Sequence, residues 1–213
     1  MVENAIVVAA SAPPSHAAPI IAEGAFVVAA DGGADTALAL GLHGDRAIGD
    51  FDSISSAGLA ALERAGTRIE RHAAAKDATD LELALDAALA AEPRSLLVVG
   101  SAEGRLDHVL SSLELLASSR YAGVELDARL GAALVHVIRD SRAIEGTPGE
   151  LLSLHAVHGA ARGVVTEGLR YPLVVETLEP GSSRGVSNVF AEPAARVSLD
   201  DGVLLAIRPG VEQ

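Results

Sequence analysis

Carboxylates and glycines recur through one stretch of this chain in a pattern suited to holding a cation. The stretch runs from Asp31-Gly32-Gly33-Ala34-Asp35 through Gly49-Asp50-Phe51-Asp52-Ser53 to Lys76-Asp77-Ala78-Thr79-Asp80. Hard divalent cations take oxygen ligands, and Mg²⁺ binds through one or two carboxylates together with substrate phosphates. The stretch therefore points to a Mg²⁺–nucleotide site. On an extended segment, residues i and i+2 point the same way, so Asp50 and Asp52 can reach one metal. Gly-Asp-x-Asp-Ser is also good turn chemistry.

The other blocks carry the same double meaning. Gly32 and Gly33 suit a strand-to-helix turn; they also suit close approach of backbone to a phosphate at a helix N-terminus. No Gly-Lys-Ser/Thr follows them and no GxGxxG fingerprint is present. Thr79 fits a helix cap, with Thr79-Asp80-Leu81-Glu82 as a capping box. Lys76 is placed to meet a phosphate oxygen and Asp80 to join the metal shell. In Gly104-Arg105-Leu106-Asp107-His108, Arg105 suits bidentate phosphate recognition. Asp107 suits orienting a substrate hydroxyl or a basic ring, or capping the next helix. His155 and His158 form HxxH, but with no third ligand the pair does not point to zinc.

These residues need a frame. Ala5–Ala10, Ala25–Ala30, Arg46–Ile48, Arg68–Glu70 and Ser95–Val99 read as strands. Helices are expected near Ala17–Ala22, around Asp35–Leu40, at Ser56–Ala65, after Thr79, and over Arg105–Ser119. Leu81, Ala84, Leu85, Ala88 and Leu89 make one apolar helix face. Continuously apolar strands alternating with helices indicate a parallel sheet covered on both faces. Ligands of such sheets bind beyond the carboxyl ends of the strands, where Asp31, Asp50 and Gly100 fall. After about Asp127 the helical pattern fades and Gly/Pro turns multiply. Leu151–Val157, Gly163–Thr166, Leu173–Leu178, Ala195–Leu199 and Val203–Ile207 read as short strands, the last two joined through Asp200-Asp201-Gly202 as a hairpin. The fold expected is α/β with a parallel-sheet, Rossmann-like N-terminal domain over residues 1–127. An all-β sandwich domain over residues 128–213 follows.

Composition narrows the class. The net charge of −13 argues against a nucleic-acid partner, because neutralising phosphates needs a basic patch. An acidic surface instead favours a cationic small substrate. The absence of cysteine removes disulfides, thiolate metal sites and cysteine nucleophiles. No apolar run approaches the ~18 residues of a membrane span, and Met1-Val2-Glu3-Asn4 lacks a basic signal-peptide start. A cytoplasmic protein without membrane partners is expected.

Taken together, the motifs resemble the thiamine pyrophosphokinase family. The resemblance rests on Asp31-Gly32-Gly33-Ala34, Ile48-Gly49-Asp50-Phe51-Asp52-Ser53, Lys76-Asp77-Ala78-Thr79-Asp80-Leu81-Glu82 and Gly104-Arg105-Leu106-Asp107-His108. Two later blocks join them in order, Gly168-Leu169-Arg170-Tyr171-Pro172-Leu173 and Gly181-Ser182-Ser183-Arg184-Gly185-Val186-Ser187-Asn188. It implies pyrophosphate transfer from ATP to the hydroxyl of thiamine, giving thiamine diphosphate and AMP, with Mg²⁺ as cofactor. It implies Asp31, Asp50, Asp52 and Asp80 as metal ligands, and Asp50, Asp52, Asp80, Arg105 and Asp107 as the catalytic set. Asp31, Gly32, Gly33, Lys76, Thr79 and Arg105 would face the nucleotide. Asp107, Tyr171, Ser187 and Asn188 would face thiamine. Residues 1–127 would be the ATP/Mg-binding catalytic domain and residues 128–213 the thiamine-binding and dimerisation domain. The assembly would be a homodimer with its active site at the interface.

The resemblance is imperfect in places. The loop Ala10-Ser11-Ala12-Pro13-Pro14 lacks the glycines common there, and Ser111 and Ser112 stand where the family often has Asn. Two other readings compete. Asp50-Phe51-Asp52 also fits the DxD motif of glycosyltransferases, and the whole could be a nucleotide- or thiamine-binding regulatory module. The first leaves the Arg105 and Asn188 blocks unexplained.

Overall fold

Short runs of Val, Ile, Leu and Ala become parallel strands in the N-terminal half of the chain. The computed structural model describes residues 2–9, 22–73, 75 and 77–210. Lys76, the loop at 11–14 and nearly all of the helix expected near Ala17–Ala22 lie outside these residues. The chain divides into two compact units. The first takes Met1–Ser112 and Gly123–Ala132, the second Leu113–Ala122 and Ala133–Gln213.

The first unit holds β1 (Asn4–Val8), β2 (Phe26–Ala30), β3 (Arg46–Gly49), β4 (Arg68–Arg71), β5 (Ser95–Gly100) and β6 (Glu125–Leu130). They lie side by side in the order β6-β5-β1-β2-β3-β4, every pair parallel. The chain moves outward from β1 to β4, then returns to the other side of β1 for β5 and β6. That reversal is the switch point at which open parallel sheets bind ligands.

Helices α1 (Gly33–Ala39), α2 (Ser56–Ala65) and α3 (Asp80–Leu89) connect the strands, and α4 (Leu106–Leu116) follows β5. Alternate strand residues point to opposite faces. Val27 packs with Ala37 of α1, and Ala29 with Ala34 of α1 and Leu62 of α2. The intervening Ala5, Val7, Val28 and Ala30 are equally buried, and α3 packs across β1, β2 and β3. This double burial is why these strands read as unbroken apolar runs. The Ser55 hydroxyl accepts from Gly58 N at 2.9 Å to cap α2, and Gly66, left-handed at φ 75°, ends it. Thr79 caps α3 as expected, accepting from Glu82 N at 3.2 Å.

The second unit is antiparallel β. Its strands are β7 (Ala133–Ile138), β8 (Ser141–Glu145), β9 (Leu151–Ala156), β10 (Ala161–Glu167), β11 (Glu176–Leu178), β12 (Asn188–Val189), β13 (Ala194–Ser198) and β14 (Leu204–Arg208). One group runs β12-β9-β14-β7 and the other β11-β10-β13-β8. Burial alternates along β9 and β13. The inward residues, Leu152, Leu154, Ala195 and Val197 among them, join Ile138, Phe190 and Leu204 in one core. The chain is thus a mixed α/β protein, parallel sheet first and antiparallel strands after.

Three local expectations give way. Asp200-Asp201-Gly202 does not close a hairpin, because β13 pairs with β8 and β10 while β14 pairs with β7 and β9. The turn instead carries the chain from one sheet to the other. Arg162 grips it, its N–H donating to Asp201 O and its carbonyl accepting from Asp200 N, both at 2.8 Å. Gly202 is left-handed at φ 98°, and a Cβ there would meet Ala160 O. The strand expected over Leu173–Leu178 shrinks to β11, because Val175 takes φ 53° and Val174 faces solvent. Finally, β6, β7, β8 and β12 lie where no strand was expected. Of these, β6 is polar at alternate positions and β12, two residues long, is too short to show a period.

Candidate active site

Asp31 and Asp50 directly follow β2 and β3, and the backbone brings them together. Asp31 N donates to Ile48 O at 2.8 Å. Gly49 lies against Asp31 so closely that a Cβ on it would stand 3.1 Å from the Asp31 Cα. Phe51 then turns the chain with φ 62°, a conformation uncommon outside glycine. Its ring is buried beside Ala29, Ala34, Ala47 and Leu62, with the Arg71 guanidinium 5.0 Å from the ring centroid. An inward aromatic anchor thus sits between two acids. Asp50 and Asp52 converge through this left-handed turn, so of the two conformations the sequence allowed, extended or turn, the structure takes the turn.

One carboxylate oxygen from each of Asp31, Asp50 and Asp52 lies within 4.8 Å of the others. Asp52 N donates to Asp50 Oδ1 at 3.2 Å and Ser53 Oγ to Asp52 Oδ1 at 2.7 Å. Oδ1 of Asp31 is buried and has no hydrogen-bond partner among the described residues. Like charges this close disfavour one another, and an unpartnered buried oxygen is costly. A cation answers both. The all-oxygen set fits a hard ion such as Mg²⁺, whose ligands span about 4.2 Å across the ion at 2.1 Å each. Asp80, the first residue of α3, is not one of the three converging acids. Among the described residues the histidines join no such group. His158 instead takes φ 60° and places Nε2 2.8 Å from Glu114 O.

The two glycines after Asp31 serve packing. A Cβ at Gly33 would overlap the carbonyl oxygen of Val8 in β1, and one at Gly32 would press on Ser53. Arg105 and Asp107 stand exposed at the start of α4 and hold each other. Arg105 Nε donates to Asp107 Oδ1 at 3.2 Å and its Nη2 to Oδ2 at 2.5 Å. Those bonds raise the Arg105 guanidinium above its ordinary value and lower the Asp107 carboxyl below its own. The fork predicted for phosphate is occupied by the neighbouring carboxylate.

In the second unit, Tyr171 and Asn188 line a hollow of about 380 Å³ together with Leu173, Ser183, Arg184 and Val186. Tyr171 is 57% exposed, while Asn188 is only 3% exposed. Asn188 Oδ1 accepts from Tyr171 N at 3.1 Å and Val189 N at 2.9 Å, and its Nδ2 donates to Tyr171 O at 2.7 Å. Ser187, left-handed at φ 57°, donates its N–H to Ser153 Oγ at 3.0 Å. Arg184, which sequence reasoning did not single out, forms a fork with Glu176 at 2.8 and 2.6 Å. Its position inside the Gly181–Asn188 block was the available signal.

Comparison with known proteins follows the same division. Residues 18–126 match the family model "Thiamin pyrophosphokinase, catalytic domain". Residues 135–204 match "Thiamin pyrophosphokinase, vitamin B1 binding domain". The thiamine pyrophosphokinase of Bacillus subtilis (strain 168) is 30% identical over 192 residues, covering 85% of this chain and 86% of that protein. A crystal structure of thiamine pyrophosphokinase from Bacillus subtilis superposes with a TM-score of 0.84 at 25% identity, covering 97% of this chain and 98% of the other. A thiamin pyrophosphokinase family protein from Enterococcus faecalis gives 0.80 at 26% identity, over 99% of this chain and 100% of that one. With both halves of the chain matched in order, and a relative this similar along most of its length, the chain belongs to the thiamin pyrophosphokinase family.

Proposed function

We propose that this chain is a Mg²⁺-dependent thiamine diphosphokinase, transferring pyrophosphate from ATP to the hydroxyl of thiamine and releasing AMP. The convergence of Asp31, Asp50 and Asp52 beyond the sheet's carboxyl edge, in a member of this family, carries the reading. The thiamine oxygen forms a bond to the β-phosphorus, the bond from that phosphorus to the α,β-bridging oxygen breaks, and the hydroxyl proton leaves. Such transfer depends on positioning and charge neutralisation. The cation, when bound, would neutralise charge on the phosphates.

The protein groups divide this work. Asp31, Asp50 and Asp52 hold the cation, with Asp80 as a fourth acid near the head of α3. Gly32, Gly33, Lys76 and Thr79 belong to the nucleotide side. Arg105 turns from Asp107 to a phosphate oxygen, and the released Asp107 meets the acceptor. Tyr171 stacks on a ring of thiamine, whose thiazolium charge suits an aromatic face. Ser187 and Asn188 shape that end, Asn188 by fixing the Tyr171 backbone.

In this reading residues 1–127 form the Rossmann-like ATP and Mg²⁺ domain. Residues 128–213 form a β-sandwich that binds thiamine and dimerises. Two copies form a homodimer with the acceptor site at their interface. Tyr171, Val174 and Val175, 57%, 72% and 70% exposed, support this as apolar surface that a second copy would cover. The protein is cytoplasmic in this proposal; among the described residues no helix is long and apolar enough to cross a membrane.

Incubation with ATP, Mg²⁺ and thiamine should yield AMP and thiamine diphosphate in equal amounts. ADP as the product would replace the reading with monophosphoryl transfer. Thiamine binding without turnover would make the chain a binding module, and sugar transfer from a nucleotide sugar would favour the DxD alternative.

A further inference from the structure

Asp35 is an acid of this neighbourhood that does not join the cluster. It lies in the first turn of α1, four residues after Asp31. Both of its oxygens are engaged by one residue. Oδ2 accepts from Ser55 N at 2.7 Å and Oδ1 from Ser55 Oγ at 2.7 Å. Ser55 is three residues beyond Asp52 and caps α2 through Gly58 N. Gly58 has no room for a side chain, because a Cβ there would overlap the Asp35 carboxylate.

These bonds tie two limbs together. One limb is Asp31 with α1; the other is the loop of Asp50 and Asp52 with α2. The loop is fixed at its start by β3, where Gly49 presses on Asp31. At its end, Ser55 is bonded to Asp35. The left-handed Phe51 between the two acids gives the loop a shape that would otherwise relax.

We propose that Asp35 is a positioning residue for the cation site: through Ser55 it fixes where the Asp50–Asp52 loop stands relative to Asp31. The inference rests on the cation reading of those three acids. Asp35 itself touches no reactant. Losing its bonds lets the loop shift, so three carboxylates built to meet no longer do so without cost to binding.

The test is direct Mn²⁺ binding to full-length protein, read from the free-ion electron paramagnetic resonance signal, without substrates or turnover. Asp35→Ala should raise the Mn²⁺ Kd about tenfold, and Asp35→Asn, which keeps an acceptor for Ser55 N, should recover most of that loss. Ser55→Ala should weaken binding in the same direction, and it decides the matter if Asp35→Ala does not fold. Val197→Ala, in the core of the second unit, should lower thermal stability and leave the Kd unchanged. Wild-type Mn²⁺ affinity in folded Asp35→Ala, or in Ser55→Ala, would overturn the positioning role alone. An Asp52→Ala variant that binds Mn²⁺ like wild type, or a wild type that binds none, would overturn the cation reading and this proposal with it.

Discussion

Asn188 holds the backbone of Tyr171 from both sides, accepting from its N–H at 3.1 Å and donating to its carbonyl at 2.7 Å. A nearly buried amide thereby sets the height of a half-exposed ring. Asn188→Ala should cost about 2 kcal/mol, since two backbone groups lose their partner. It should raise the KM for thiamine and leave that for ATP in place. Asn188→Asp is the sharper variant: it keeps the acceptor and sets a carboxylate oxygen against the Tyr171 carbonyl. Urea unfolding with steady-state kinetics separates the two effects.

The three-acid cluster predicts a steep loss of turnover on neutralising one member. Asp52→Asn should lower kcat by about 10²-fold or more and shift the Mg²⁺ dependence to higher concentration, with the fold retained. Ser53→Ala removes only a hydrogen bond to Asp52 and should do far less. Rates measured across a Mg²⁺ series check both.

Gly33 faces the Val8 carbonyl in a sheet whose strands are fixed on both sides. Gly33→Ala should therefore destabilise by about 2–3 kcal/mol through overpacking. Gly123 has no neighbour within reach of a new Cβ, and Gly123→Ala should change stability by less than about 0.5 kcal/mol. Denaturant midpoints give the comparison.

Acid should unfasten one turn of the second unit. The Thr147 N–H, and after it the Arg208 guanidinium, hold the Glu150 carboxyl below its ordinary value. The contacts are 2.9 and 2.8 Å. As pH falls, the unfolded chain takes up the proton first. The stabilisation is therefore complete above the ordinary value of 4.5 and is lost as pH drops through the lower folded value. Glu150→Gln should be less stable than wild type by about 0.5–1 kcal/mol near neutrality, and the gap should close in acid. Thermal melts over a pH series read it.

The legible part of this chain was the part governed by local physics. Ser56–Ala65 carries an apolar face and is flanked directly by its cap, Ser55, and by a terminal glycine, Gly66, and it appears in the structure with the bounds read from sequence. Asp31 and Asp50 were placed because each follows an apolar run. What escaped depends on residues distant in sequence. Asp35 meets Ser55 twenty positions on, and Asn188 meets Tyr171 seventeen positions back. Nothing in either local pattern signals such a pair. Asp200-Asp201-Gly202 misled because turn chemistry is the same whether the following strand pairs with its predecessor or with another sheet. The turn chemistry of Gly49–Ser53 was legible, but the left-handed Phe51 within it was not, because bulky residues rarely take positive φ.

The sheet switch between β13 and β14 bears on how the protein is made. The last of the described strands, β14, sits between β7 and β9 and bonds to both. Until β14 has been made, the facing edges of β7 and β9 have no partner, and such edges invite wrong pairings. The first unit ends at Ala132 and can form during synthesis, N-terminal parts first. Ribosome-stalled chains ending at Gly202 should resist protease in the first unit and remain cleavable in the second. Completion of the second unit thus waits on one five-residue strand.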